Sequence, residues 1–335
     1  MPEIALLREI AAAFSLERSP EESTLLPGGL IHETWRVAHP GQGAFVFQRF
    51  NEGVFPDPGA VQSNVSQIAR HLPGYPLQFL QDKRGAIFYR ASDGALWRVS
   101  PFLKEGEIRS VLRDGASATA AGAALGEFQA RLLDFPSSQL SVTLSDFHDT
   151  PQRWQTLWRA HRLANHSLRE QGAALLARLE RHPSLVTQLQ DQLTAGEVPL
   201  RVTHNDPKLS NLLFLQNEPE VLCLLDWDTL MPGYSVHDFG DFARSLVGAA
   251  LREGSDPTSL YRAAEEGYRQ NADFLFPCES RSLLLAAKTL AFELATRFLT
   301  DFLQGNAYFQ VRYATENLER AGQQLEVLDF LESLH

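Results

Sequence analysis

Thr203-His204-Asn205-Asp206-Pro207-Lys208-Leu209-Ser210-Asn211 joins two apolar runs, residues 200–203 and 212–215, and a third run, residues 221–225, ends in Asp226-Trp227-Asp228. Short apolar runs bounded by polar and turn residues read as buried strands. Each polar stretch alone reads blandly, the first as a loop and the second as a strand-end cap. In this order, each behind an apolar strand, they read as two acidic turns of a single site.

That pairing matches the needs of phosphoryl transfer. A carboxylate must orient an acceptor hydroxyl and take its proton. A carboxamide and a carboxylate must hold Mg²⁺ on the β- and γ-phosphates, and a cation must balance the moving phosphoryl charge. Asp206 supplies the first group. Asn211 follows at the spacing of the kinase pattern HRDxxxxN. Asp226 occupies the metal-ligand position after the next strand, with Asp228 as a second or water-mediated ligand. Oxygen ligands of this kind suit a hard cation. Lys208, on the same loop as Asp206, is placed to reach the γ-phosphate. His204 is read as catalytic-loop machinery, either a hydrogen-bonding prop bridging the loop and the Asp226 turn or a proton carrier.

Outward from this segment the chain divides by pattern. Residues 1–102 hold a short amphipathic helix, strands near 25–30, 34–38, 44–50, 86–90 and 96–102, and a helix near 57–72 with Asp57 as N-cap and Pro58 at its first position. Residues 103–335 read as almost wholly helical, with helices near 116–133, 151–164, 167–181, 183–193, 237–250, 257–274, 281–303 and 308–332. The fold class is α+β, a small β-rich N-terminal lobe for nucleotide and a larger helical lobe for catalysis, metal and acceptor. At the nucleotide end, Gly28-Gly29 is either a phosphate-covering hairpin or an ordinary turn. Arg49 stands on the strand where a kinase carries its ATP-binding lysine, and is either that cation or a surface charge. Adenine is expected against the backbone of Ser100, Pro101 and Phe102.

Composition narrows the alternatives. The chain has 335 residues, 44% of them hydrophobic, and a net charge of -11. So acidic a surface argues against nucleic-acid or anionic-membrane partners. The two cysteines, Cys223 and Cys278, form no CxxC pair, and Cys223 reads as a buried strand residue. No basic and apolar leader opens the chain, and the most apolar stretch, 283–303, carries Lys288, Glu293, Arg297 and Asp301. A cytosolic protein acting on a small molecule is expected; the composition assigns no oligomeric state.

HNDPKLSN followed by DWD resembles the aminoglycoside phosphotransferase and choline kinase family. GGLIHETW (28–35), FVFQRFNEGVFPDP (45–58), SDFHDTPQRW (145–154), CLLDWDTLMPGYSVHDFGDFAR (223–244) and ATRFLTDFLQGNAYF (295–309) are similar to the N-acetylhexosamine 1-kinase group within it. The resemblance implies a bilobal protein-kinase-like fold, ATP with Mg²⁺, and transfer to the anomeric hydroxyl of a sugar. It implies Asp206 as base, Asn211 and Asp226 as metal ligands, and Arg297 and Tyr308 as sugar contacts. Pro207, Trp227 and His32 depart from that group's pattern. By spacing alone, Glu293, Arg297 and Asp301 also fit an ion-pair ladder along one helix, and Tyr308 a buried core position. His148 and Asp149 fit a loop or helix cap before Pro151. The competing functions are a kinase for another hydroxyl acceptor (an amino alcohol, homoserine or an aminoglycoside) and a kinase-like binder without activity.

Overall fold

A computed structural model describes residues 3–16, 20, 22–26 and 31–334 of the chain. It divides into two compact units, Met1–Glu107 and Ile108–His335. Gly28 and Gly29 lie outside the described residues.

The first unit is an antiparallel sheet with two helices. Strands β1 (Glu22–Leu25), β2 (Glu33–His39), β3 (Gly43–Arg49), β4 (Tyr89–Arg90) and β5 (Leu96–Pro101) stand in the order β1-β2-β3-β5-β4. Alternation decides the two faces. Trp35, Val37, Phe47, Trp97 and Val99 point one way and bury against Leu7, Ile10, Ala11 and Phe14 of helix α1 (Ile4–Ala13). Helix α2 (Pro58–His71) begins as the sequence indicated, with Asp57 accepting from the Ala60 amide and Pro58 at its start. The stretch expected as a strand over 86–90 pairs only at Tyr89–Arg90. Asp82 ties down its beginning, accepting from the amides of Arg84 and Ala86.

β6 (Gly106–Ile108) lies at the boundary, and the second unit is mainly helical. Helix α10 (Leu283–Leu303) is its axis, packed by α4 (Thr150–Leu163), α5 (His166–Leu179), α7 (Ser235–Glu253) and α11 (Glu316–Ser333). The Ala/Gly-rich start of α3 (Gly115–Ala130) permits close approach to α8 (Pro257–Gln270). A methyl group on Gly267 would overlap the carbonyl of Thr119, and one on Gly122 that of Ala264. Among the described residues no helix is long and apolar enough to cross a membrane.

Two expected helices differ from the structure. Residues 183–193 contain a 3-10 turn, Pro183–Val186, and then α6 (Gln188–Ala195). Residues 308–315 are not helical, and α11 starts only at Glu316. Buried Asp301 captures the amides of Tyr308 and Phe309 at 2.7 and 2.9 Å and the Asn317 side chain at 2.8 Å, folding this stretch back as a loop. The remaining helix α9 (Pro277–Arg281) splits from α10 at Ser282.

Two small antiparallel pairs sit among these helices and carry the chemistry. β7 (Arg201–Thr203) pairs with β10 (Met231–Gly233), and β8 (Leu212–Leu215) with β9 (Val221–Leu224). Cys223 is buried on β9, as its apolar setting indicated. Gly233 is required by crowding, since a Cβ there would strike the side chains of Thr203 and Asn205.

Candidate active site

Residues 204–211 connect β7 to β8 and are anchored at nearly every step. Asp238, in the first turn of α7, accepts from the amides of His204 (2.9 Å) and Asn205 (2.7 Å), and from Gln129 (2.9 Å). Asn205 sits at φ 65°, a left-handed conformation that Asn tolerates better than most residues. Its side-chain amide donates to the carbonyls of Thr203 and Thr229 at 3.2 and 2.9 Å. His204 uses both ring nitrogens on backbone, Nε2 2.7 Å from the Leu225 carbonyl and Nδ1 3.3 Å from the Asp206 amide. A carbonyl accepts only, so Nε2 carries the proton and Nδ1 receives one. His204 is therefore a strut between the loop and the start of the Asp226 turn, and the proton-carrier alternative is set aside.

Asp206, Lys208 and Asn211 come together at the end of this loop. Lys208 Nζ lies 2.5 Å from Asp206 Oδ2, and Asn211 Nδ2 donates to the Asp206 carbonyl at 2.8 Å and to Oδ2 at 3.2 Å. Burial works to raise the Asp206 carboxyl, but the Lys208 ammonium overrides it and holds the group below the usual carboxylate range. Burial likewise works to lower Lys208, and the Asp206 and Asp226 carboxylates together push it up. The Asp226 charge thus acts on the same lysine as Asp206.

The second acidic turn is fixed to the first. The Leu225 amide donates to the Asn211 carbonyl at 2.7 Å, and Asp226 follows at φ 62°. Asp228 is 1% exposed, and its carbonyl accepts from Thr143. Carboxylate oxygens of Asp226 and Asp228 lie within 4.8 Å of one another. Two ligands on one Mg²⁺ at about 2.1 Å each stand at most about 4.2 Å apart, so a small side-chain adjustment brings this pair onto one ion. Asn211 commits its nitrogen to Asp206, which leaves its carbonyl oxygen for a cation. The two carboxylates with the Asn211 oxygen are hard donors of the kind that fits magnesium.

Asn205, the residue before Asp206, lines a cavity of about 550 Å³ together with Phe147, His148, Gly233, Tyr234 and His237. The 142–151 loop forms one wall, and Asp149 within it caps α4 by accepting from the Gln152 amide, as expected. His148 does more than a cap residue. Its Nε2 lies 2.8 Å from the Asn205 carbonyl and its Nδ1 3.2 Å from Glu293. Glu293 is therefore not part of an exposed ladder on α10. Arg297 leaves that ladder too, stacking over Phe147 and Phe309 at 5.1 and 5.7 Å, behind the cavity wall. Arg153 on α4 is held below its usual range by burial and by the neighbouring Arg297. Tyr308 is 43% exposed and not a core residue.

In the first unit, Arg49 projects on the α1 side of the sheet. It is 43% exposed and pairs with Glu33 at 3.4 Å and Asp93 at 3.7 Å. The opposite face carries a row the sequence reading did not single out, Thr34, Gln48 and Arg98 on adjacent strands. Gln48 donates to Thr34 at 3.1 Å and accepts from Arg98 Nε at 2.7 Å, while the Arg98 guanidinium lies over Phe79 at 4.9 Å. Ser100 is buried, and the Phe102 amide is committed to the Ala44 carbonyl at 2.9 Å. Pro101 has no amide hydrogen, so an adenine edge would meet carbonyls rather than donors at these last two positions. Alternation would have placed Gln48 opposite Arg49; nothing local marks Asp238, His148 or Arg98 as members of a site.

A model of the phosphotransferase enzyme family matches residues 22–274. One similar solved structure is a spectinomycin phosphotransferase in complex with ADP and spectinomycin, at 11% identity over 100% of this chain and 99% of that chain, with a TM-score of 0.63. A second is a microcompartment-associated aminopropanol kinase, at 15% identity over 99% and 98%, with a TM-score of 0.70. A third is an amicoumacin kinase in complex with AMP-PNP, Ca²⁺ and Ami, at 15% identity over 98% and 94%, with a TM-score of 0.64. At such identities the likeness is one of fold, a sheet-bearing N-terminal unit followed by a helical one.

Proposed function

Because this chain belongs to the phosphotransferase enzyme family, we propose that it transfers the γ-phosphate of ATP to a hydroxyl of a small molecule held beside Asn205, with Asp206 as the base. The observation that carries this reading is the Asp206–Lys208–Asn211 cluster, joined by hydrogen bonds of 2.5 and 2.8 Å and directly following Asn205, which lines a cavity of about 550 Å³. Pockets of this size enclose metabolite-sized ligands.

In this reading, Lys208 and Asn211 both use Asp206 Oδ2, which leaves Oδ1 to accept the acceptor's proton. Keeping Asp206 ionised well into the acid range secures a ready base. Lys208 contacts Asp206 and is also held charged by the Asp226 carboxylate, so it can follow charge as the phosphoryl group moves. Asn211, Asp226 and Asp228 would hold magnesium, which supplies charge neutralisation on the triphosphate when bound. The Gln48–Arg98 face of the sheet, rather than Arg49, is assigned to the nucleotide, since α1 covers the other face.

The acceptor is assigned to the N-acetylhexosamines, phosphorylated at the anomeric hydroxyl. Support comes from the cavity chemistry, in which Phe147 and Tyr234 offer faces for a sugar ring and Asn205 and His237 offer polar atoms for its hydroxyls. Arg297 and Tyr308, implied by the resemblance as sugar contacts, are not among the residues lining this cavity; Arg297 reaches it through the Phe147 ring over which it stacks. One observation favours an amino alcohol instead, the Asp146 carboxylate in the same lining, which would pair an ammonium.

ADP release with Mg-ATP across N-acetylhexosamines, amino alcohols, homoserine and aminoglycosides tests the assignment, with phosphorus NMR locating the new ester. Asp206→Asn should lower kcat by about 10²–10⁴-fold and leave ATP binding in place. Turnover confined to amino alcohols would replace the sugar assignment. Unchanged turnover in Asp206→Asn would remove Asp206 as the base.

A further inference from the structure

We propose that His148 is a positioning residue for phosphoryl transfer: as an imidazolium held between the Glu293 carboxylate and the Asn205 carbonyl, it sets the peptide that leads into Asp206. The proposal rests on the phosphotransfer reading above for its kinetic consequence, though not for the protonation state itself.

Geometry fixes the proton on Nε2, and basicity assigns the one on Nδ1. The Asn205 carbonyl, 2.8 Å from Nε2, can only accept, so Nε2 carries hydrogen. Glu293 Oε1 is 3.2 Å from Nδ1, and its other oxygen accepts from the Thr150 hydroxyl at 2.9 Å. The Nδ1 contact fits either a Glu293 carboxylate facing Nδ1–H or a protonated Glu293 facing a bare Nδ1; imidazole is the stronger base of the two groups, so the proton belongs on Nδ1 and Glu293 is the carboxylate. The ring and the carboxylate are 7% and 2% exposed, which makes this a buried ion pair. A buried charge persists only when paired and hydrogen-bonded, and here each partner satisfies the other.

The groups that face the ring agree. Burial works to lower His148, but the hydrogen bond and charge of Glu293 on α10, with Asp241 on α7, push it above its ordinary value. Glu293 stays below the usual range against its own burial because of His148, with Arg297 adding to it. His237 on α7 lies 5.1 Å from the His148 ring; burial and the His148 charge push it down to about 3, so it is neutral. One charge resides on the pair of histidines, and it is on His148.

The consequence lies in which peptide is held. The carbonyl that His148 grips and the amide that His204 accepts belong to the same peptide unit, between Asn205 and Asp206. Asp238 clamps the amide on the other side of Asn205. The orientation of this peptide directs the Asp206 side chain, and Asn205 is in a left-handed conformation that it would readily leave once released.

The sign follows from the raised value. The histidine is charged, and the grip complete, below its folded pKa; the grip is lost as pH rises through it. Wild-type kcat should therefore fall on the alkaline side. Glu293→Gln should move that limb to lower pH without changing KM for ATP. His148→Gln should lower kcat by about 10- to 100-fold, the worth of one charge-assisted hydrogen bond, and abolish the limb. Histidine NMR of wild-type protein, with the His148 signal assigned through His148→Gln, reads the ring directly. A doubly protonated ring near neutral pH, losing its proton at lower pH in Glu293→Gln, supports the proposal even if the acceptor panel yields no turnover. A neutral single tautomer near neutral pH overturns it, as does an alkaline limb unmoved in both variants.

Discussion

Asp238→Asn isolates the contribution of loop anchoring to catalysis. The wild-type carboxylate spends Oδ1 on the Asn205 amide and Oδ2 on the His204 amide and Gln129. An asparagine has one acceptor oxygen. If it serves His204 and Gln129, its NH₂ faces the Asn205 amide and a buried N–H loses its partner. An unsatisfied buried donor costs about 1–3 kcal/mol. That cost falls on the loop conformation that carries Asp206, and corresponds to a drop in kcat of about 5- to 150-fold. Global stability should move less. Burial pushes the Asp238 carboxyl above its usual range, and an amide removes that burden. The assay is steady-state ADP release beside thermal unfolding of the same preparation. A kcat within twofold of wild type in a folded variant would refute the argument, because it would mean that the two amides do not need the carboxylate. A kcat that falls only in step with the folded fraction would refute it equally.

Asp226→Asn should raise the Mg²⁺ concentration needed for half-maximal rate by at least tenfold while leaving acceptor KM unchanged, checked by magnesium titration at saturating ATP. Gly267→Ala should destabilise the second unit by about 1–3 kcal/mol, because the added methyl meets the Thr119 carbonyl and α3 and α8 must part; an unchanged melting curve would contradict it. Burial pushes the Cys223 thiol up to about 12. Since the thiolate is the reactive form, a thiol reagent at mildly alkaline pH should label Cys278 alone in native protein and both cysteines after denaturation, counted by mass spectrometry.

The Asp226 turn, the helix start at Asp57-Pro58 and the burial of Cys223 were legible because each depends on neighbours in the chain. Strand, acidic turn and cap are local events, and their order along the chain indicated both the division into a sheet-bearing and a helical unit and the main members of the candidate site. Alternation along β3 groups Arg49 with Phe47 and sets Gln48 on the other face. Which of the two faces α1 would cover was not legible, and that choice turned Arg49 into an exposed ion-pairing residue and left Gln48 with Arg98 on the other side.

Glu293, Arg297 and Asp301 show where local reasoning stops. Their spacing suits a ladder of helix ion pairs, each worth about 0.2–0.5 kcal/mol. Tertiary partners offered each residue more: His148 and Thr150 for Glu293, the rings of Phe147 and Phe309 for Arg297, and the amides of Tyr308 and Phe309 for Asp301. A charge taken out of water must find its full complement of partners, and those partners lay on segments far apart in the chain. Sequence alone indicated the Asp206 loop, its companion turn and the two-part architecture. Tertiary structure decided which buried charges hold that loop in place, because their partners meet only once the helices have packed.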